Sequence, residues 1–120
     1  MANEANLIQN FIDSSNAVIY LKDDQGRFLM VNPAFEKLFK STKEQIIGKT
    51  GYDFVSKEEA DKFRADDLKV TEAGAPINFK DSVLFPDGPR TYISHKFPVS
   101  NIEGSPKAVG GISIDITESE

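Results

Sequence analysis

The stretch from Ser56 to Pro76 constrains this chain most, because both ends of a long helix are written into it. Ser56 with Glu59 three residues on is a capping-box pair, in which each side chain satisfies a backbone N–H of the other residue. Gly74 supplies the left-handed residue that commonly ends a helix, and Pro76 prevents its continuation. A helix over about Lys57 to Ala73 is therefore expected, and beyond it the sequence changes period. Ile77–Phe85, Arg90–Val99 and Lys107–Thr117 read as strands, separated by the turn strings Pro86-Asp87-Gly88 and Asn101-Ile102-Glu103-Gly104. Strands joined by such short turns pair antiparallel, so the last third is an antiparallel sheet attached to a helical block.

Upstream, Leu7, Ile8, Phe11 and Ile12 give a short helix between Asn3 and Ser14 one apolar face, which needs something to lie on. Ala17–Lys22 and Arg27–Val31 form a hairpin around Asp23-Asp24-Gln25-Gly26. Asn32 is placed to cap the next helix, with Pro33 at its first position, where a missing N–H costs nothing. Phe35, Leu38 and Phe39 give that helix an apolar stripe, and Ser41 with Glu44 is a second capping-box pair opening a short turn closed at Gly48. The order is helix, two strands, helical block, three strands, which is an α+β plan.

A chain of 120 residues makes one domain. With no cysteine, thiolate catalysis, disulfides and iron–sulfur ligation are excluded within it. A net charge of −5 without a Lys/Arg cluster argues against a nucleic-acid partner, whose phosphates need basic contacts. No apolar run approaches the roughly 18 residues that span a bilayer, and Met1–Asn10 lacks the pattern of a secretory signal. A soluble domain without direct membrane contact is expected.

That order and several local strings resemble the PAS domain family from about Asp13 to Thr117. The strings are Asp23, Gly26 and Asn32 around the first hairpin, Gly48 in Ile46-Ile47-Gly48-Lys49, Asp87-Gly88, Pro98-Val99, Gly104, and the ending Asp115-Ile116-Thr117-Glu118. The resemblance implies a five-stranded antiparallel sheet with the helical block on one face and the N-terminal amphipathic helix on the other. Residues 1–15 are then a cap helix, 16–118 the sensory domain, and 119–120 the start of a connector. It also implies sensing rather than turnover, in a bacterial, cytoplasmic, dimeric signalling module. Asp115 and Thr117 would pass the signal to a C-terminal effector such as a two-component histidine kinase or a diguanylate cyclase. The photoactive LOV branch is set apart by the missing cysteine.

Alternation along a strand puts Tyr92, Ser94 and Lys96 on one face and Ile93, His95, Phe97 and Val99 on the other, and likewise separates Ser113 and Asp115 from Ile112, Ile114 and Ile116. By similarity to the flavin-binding branch, the set with Tyr92, Ser94, Lys96 and Ser113 faces the pocket. The apolar set then needs a cover. Leu7, Ile8, Phe11 and Ile12 are available to meet Ile93, Phe97, Ile112 and Ile114, from the same chain or a second copy.

On the long helix Ala60, Phe63, Asp67 and Val70 share a face. Asp67 then either sits at the edge in solvent or points inward and pairs with Lys96, since neither charge is stable buried alone. Such a pair either ties helix to sheet or contacts a polar ligand, with Phe63, Met30 and Phe39 as pocket wall. Tyr20, Phe35, Phe54 and Phe79 read as core, some of them lining a cavity.

Haem finds no partner on the long helix, because the only histidine, His95, is on the outward strand face. A cysteinyl flavin is excluded, non-covalent flavin adenine dinucleotide stays open, and otherwise the ligand is an unknown small molecule or none. Three readings follow: a small-molecule sensor, a ligand-free dimerisation and relay module, and a small enzyme using Asp67 and Lys96. The enzyme is the weakest, because no nucleophile, metal cluster or phosphate loop accompanies them.

Overall fold

A computed structural model describes residues 3–85, 87–100 and 107–117. The elements are α1 (Glu4–Asp13), β1 (Val18–Lys22), β2 (Phe28–Val31), α2 (Pro33–Phe39), α3 (Lys43–Ile46), a single 3₁₀ turn (Gly51–Asp53), α4 (Lys57–Ala73), β3 (Ile77–Phe85), β4 (Gly88–Val99) and β5 (Ala108–Asp115). The strands form one antiparallel sheet in the order β2-β1-β5-β4-β3. The α+β expectation and the five-stranded sheet therefore hold.

The expected caps set most of the boundaries. Asn32 accepts from the Phe35 N–H and opens α2, while its amide nitrogen donates to the carbonyls of Ile12 and Ala17. One fully buried side chain thus ties α1, β1 and α2 together. Ser56 and Glu59 form the reciprocal box of α4, and Gly74 ends that helix at φ +62°. The box of α3 is displaced by one residue from the expected one: Thr42 and Gln45 make it, not Ser41 and Glu44. Ser41 instead donates to the Phe39 carbonyl.

The helical block packs on one sheet face, where Val18, Tyr20, Phe28, Val31, Phe35, Ile46, Val83, Phe85 and Tyr92 form the core. On the other face Ile93, Phe97 and Ile112 are half-buried and Ile114 is exposed. Of the stripe expected to cover them, only Ile12 is buried; Leu7 is 65% and Phe11 79% exposed, and Ile8 is exposed too. Within one chain the stripe therefore does not cover that face. Helix α1 is held instead by polar contacts, Gln9 to the Val31 carbonyl and Asn32 to that of Ile12.

The turn at Asn101–Gly104, Pro86, the ending at Glu118 and the connector at 119–120 lie outside the described residues. Among the described residues no helix is long and apolar enough to cross a membrane.

Candidate functional site

Two residues without side chains shape the centre of the sheet. Gly111 on β5 lies between Tyr20 on β1 and Lys96 on β4 in register. A Cβ at Gly111 would collide with the Tyr20 ring, and one at Gly110 with the Phe97 ring. Tyr20 therefore lies flat across β5 on the helix side and brings its hydroxyl beside Lys96, while Phe97 does the same on the outer side.

The strand faces fall as the alternation suggests. Tyr92, Ser94, Lys96 and Ser113 point into a cavity of about 70 Å³ between sheet and helices, and the Ser94 and Ser113 hydroxyls meet at 2.9 Å. Phe63 and Phe39 line the same space with Phe28, Phe35, Phe54 and Phe85. Adjacent rings run around it with centroids 4.6 Å apart for Phe35 and Phe39, 5.3 Å for Phe39 and Phe85, and 5.7 Å for Phe85 and Tyr92. Met30, expected on this wall, is not there. The β1–β2 register shifts between Leu21 and Lys22, so Phe28 pairs with Lys22 while Met30 pairs with Leu21. That irregularity is what a β-bulge does to the facing of neighbouring side chains.

The polar end of the cavity is an ionic cluster. Asp67 is 2% exposed, and its two oxygens take two lysines: Oδ1 accepts from Lys96 and Oδ2 from Lys22, each at 3.0 Å. Lys96 (2% exposed) and Lys22 (7%) border the cavity, and Asp67 stands behind them. Lys96 also lies 5.3 Å from the Phe63 ring centroid, and Lys22 5.1 Å from that of Tyr20. A third lysine, Lys62, reaches from α4 to Asp66 at 3.1 Å and to cavity-lining Asp81 at 2.7 Å. Lys22, Lys62, Lys96 and, at 4.0 Å from Asp66, Lys69 thus face Asp66, Asp67 and Asp81.

Burial opposes the charge on Asp67, but Lys22 and Lys96 outweigh it and hold its pKa below the usual aspartate value. Burial likewise opposes the charge on Lys96; Tyr20, Asp67 and Asp81 override it, so that Lys96 stays protonated well above the usual range. Burial dominates at Tyr20 and pushes its pKa up, which keeps the phenol neutral.

The structure thus brings Asp67 and Lys96 together and adds Lys22, Tyr20 and Asp81, which the sequence reading assigned to strand or core. A signal was available. In Val18-Ile19-Tyr20-Leu21-Lys22 the inward phase of a strand ends on a lysine, as the inward phase of β4 does at Lys96. His95 is exposed on the outer face and bonds Asn78 at 2.6 Å. Among the described residues no group of three or more metal-binding side chains occurs.

At the far end of β5 the Asp115 carboxylate accepts from the Thr117 N–H at 2.8 Å, from its hydroxyl, and from Arg90 at 2.8 Å. The Thr117 hydroxyl accepts from the Thr91 N–H at 2.9 Å. Ser113, two residues before Asp115 on the same strand, lines the cavity. Thr117 is therefore fastened to β4 and to Asp115 close to the cavity wall.

In fold the chain is similar to Vibrio cholerae VqmA in a complex with ligand and DNA, with a TM-score of 0.82 at 23% identity over 97% of this chain and 53% of that one. Among curated proteins, an uncharacterised protein of Sinorhizobium fredii is 31% identical over 83% of this chain. The methanogenesis regulatory histidine kinase FilI of Methanothrix harundinacea is 24% identical over 92% of it. The chain spans 12% of the length of each of these two relatives. Residues 12–120 match the PAS fold family, and the chain belongs to that family.

Proposed function

We propose that this chain is a sensory domain that takes a small molecule into its interior cavity and passes occupancy through the end of β5 to an effector C-terminal to it, such as a histidine kinase or a diguanylate cyclase. The observation that carries this reading is the cavity itself: aromatic walls closed at one end by two buried ammoniums and the Ser94–Ser113 pair. Apolar walls with a few convergent polar groups are the usual make-up of a small-molecule site. The histidine kinase named among the relatives supports the effector class. A net charge of −5 supports a protein effector rather than nucleic acid as the direct partner of this domain. The domain performs no turnover in this reading, and its ligand is a colourless small molecule, neither haem nor flavin.

Native mass spectrometry with an absorbance scan of the purified protein tests this. A retained, non-absorbing small molecule is the expected result. A flavin or haem spectrum in stoichiometric amount would overturn the ligand class. A bare dimer would favour the second reading, a ligand-free dimerisation and relay module, which the exposed Leu7, Ile8 and Phe11 support.

A further inference from the structure

Lys22 is the buried cation that a simple polar-contact role leaves without a task. It ends β1 inside the molecule, borders the cavity, and holds Asp67 Oδ2 at 3.0 Å. Asp67 does not depend on it for a counter-ion, because Lys96 is bound to Oδ1 of the same carboxylate. Burial, and after it the positive charges of Lys96 and Arg64, depress the pKa of Lys22 below that of an ordinary lysine, against the pull of Asp67. Lys96, across the same carboxylate, stays charged. An amine desolvated beside a second cation is the arrangement that makes a lysine nucleophilic toward carbonyls.

We propose that Lys22 is a covalent carbonyl-binding site, its amine forming a protonated imine with a short-chain aldehyde admitted to the cavity. This rests on the cavity being the ligand site and names the chemistry of that ligand. Lys22 releases one proton to solvent, and the freed Nζ lone pair attacks the carbonyl carbon. The C–N bond forms as the C=O π pair moves to oxygen, which takes a second proton from the nitrogen to give a carbinolamine. A proton returned from solvent then protonates the departing hydroxyl, while the Lys96 ammonium stays charged and bound to Asp67. Water leaves, and the nitrogen lone pair closes the C=N bond. Ammonium and aldehyde have become iminium and water, so the charge facing Asp67 is the same before and after.

Size, polarity and access choose the aldehyde. A cavity of about 70 Å³ has room for roughly five water-sized spheres at ~10–15 Å³ each, which suits a short alkyl chain. The aromatic walls take the alkyl tail, and the Lys96 ammonium polarises the carbonyl oxygen. Val18, Leu38, Tyr92 and Ser113 border both the cavity and an open surface groove of about 570 Å³, so only these side chains stand between the cavity and that groove.

The test is reductive trapping of the whole chain with limiting propanal and cyanoborohydride near neutral pH, followed by peptide mapping. Each unit by which an amine's pKa is lowered raises its free fraction about tenfold, so Lys22 is expected to gain a propyl group ahead of every exposed lysine. Excess propan-1-ol, which fits the same space without a carbonyl, should protect it. Lys22→Arg keeps the cation and should lose the adduct while propan-1-ol still raises its melting temperature. The wild-type map and its protection stand even if that variant fails to fold. Labelling confined to exposed lysines, with propan-1-ol still stabilising the protein, overturns the imine and leaves the cavity reading intact. If neither propan-1-ol nor any retained molecule occupies the cavity, both fall together.

Discussion

At Asp67 a single buried carboxylate meets two buried ammoniums, and the energetics of that arrangement differ from those of the exposed pairs elsewhere on the surface. Desolvation makes a buried pair a poor source of net stability, but breaking it strands a charge. Replacing Asp67 by Asn strands two lysines and should cost about 3–5 kcal/mol in chemical denaturation, whereas Lys96→Met leaves Asp67 paired with Lys22 and should cost less. The Asp67→Leu, Lys96→Met double variant should recover much of that loss, with a coupling of roughly 0.5–3 kcal/mol. The recovery should stay partial, because Lys22 loses the same carboxylate. Additive small effects would place both groups outside a shared network. The same residue sets the acid limb of stability. The native pKa of Asp67 lies below its unfolded value, so as pH falls through the carboxylate range the unfolded chain takes up the proton first. Stability is thus present above about pH 4 and lost below it, and a denaturation series against pH should show a shallower acid limb in Asp67→Asn. An unchanged limb would move that role to Asp23 and Asp115, whose pKa values are also lowered.

At the scale of elements, the features that could be read in the sequence were those fixed locally. The box at Ser56 and Glu59, the cap at Asn32 and the stop at Gly74 depend on residues within one turn of each other, and they fell where the residue types put them. Strands β3, β4 and β5 followed from period alone, within a few residues. What could not be read was set by partners distant in sequence. Thr42 and Ser41 are equally good caps on paper, and the choice between them follows how α3 enters the packed block. Met30 left the cavity because of a register shift between two strands, which a single strand's pattern does not record. Gly110 and Gly111 are each a place where a ring from another strand lies on the backbone, a contact that the pattern of β5 alone does not record. Gly111→Ala should therefore cost about 1–3 kcal/mol, since the methyl group must displace the Tyr20 ring that lies across the backbone of β5. Combining it with Tyr20→Leu should return part of that loss in the same denaturation assay. If Gly111→Ala is neutral, the ring has freedom that this packing does not give it.

For the whole molecule the open question is what lies against Leu7, Ile8 and Phe11. The sequence pattern identified the stripe but not its partner, because amphipathicity says that a face needs covering and not whether the cover belongs to the same chain. In one chain these side chains stand largely in water. Truncating an exposed side chain changes monomer stability by only about 0.5 kcal/mol in either direction. If instead a second copy buries the stripe, against Ile114 and the half-buried Ile93, Phe97 and Ile112 of the open sheet face, each large apolar side chain contributes roughly 1.5–3 kcal/mol to association. Thermal unfolding at several protein concentrations separates these cases, because association stabilises the folded state by mass action and makes the melting temperature depend on concentration. The expected outcome is a melting temperature that climbs with concentration in the wild-type chain. In Leu7→Ser, Phe11→Ser it should sit at the dilute-limit value throughout, with sedimentation showing the corresponding loss of dimer. Ile12→Ala is the control within the same helix: Ile12 is buried in the single chain, so its loss should lower stability by about 2–5 kcal/mol at every concentration. Equal, concentration-independent melting of the wild type and the double variant would mean that the stripe is not an interface between copies.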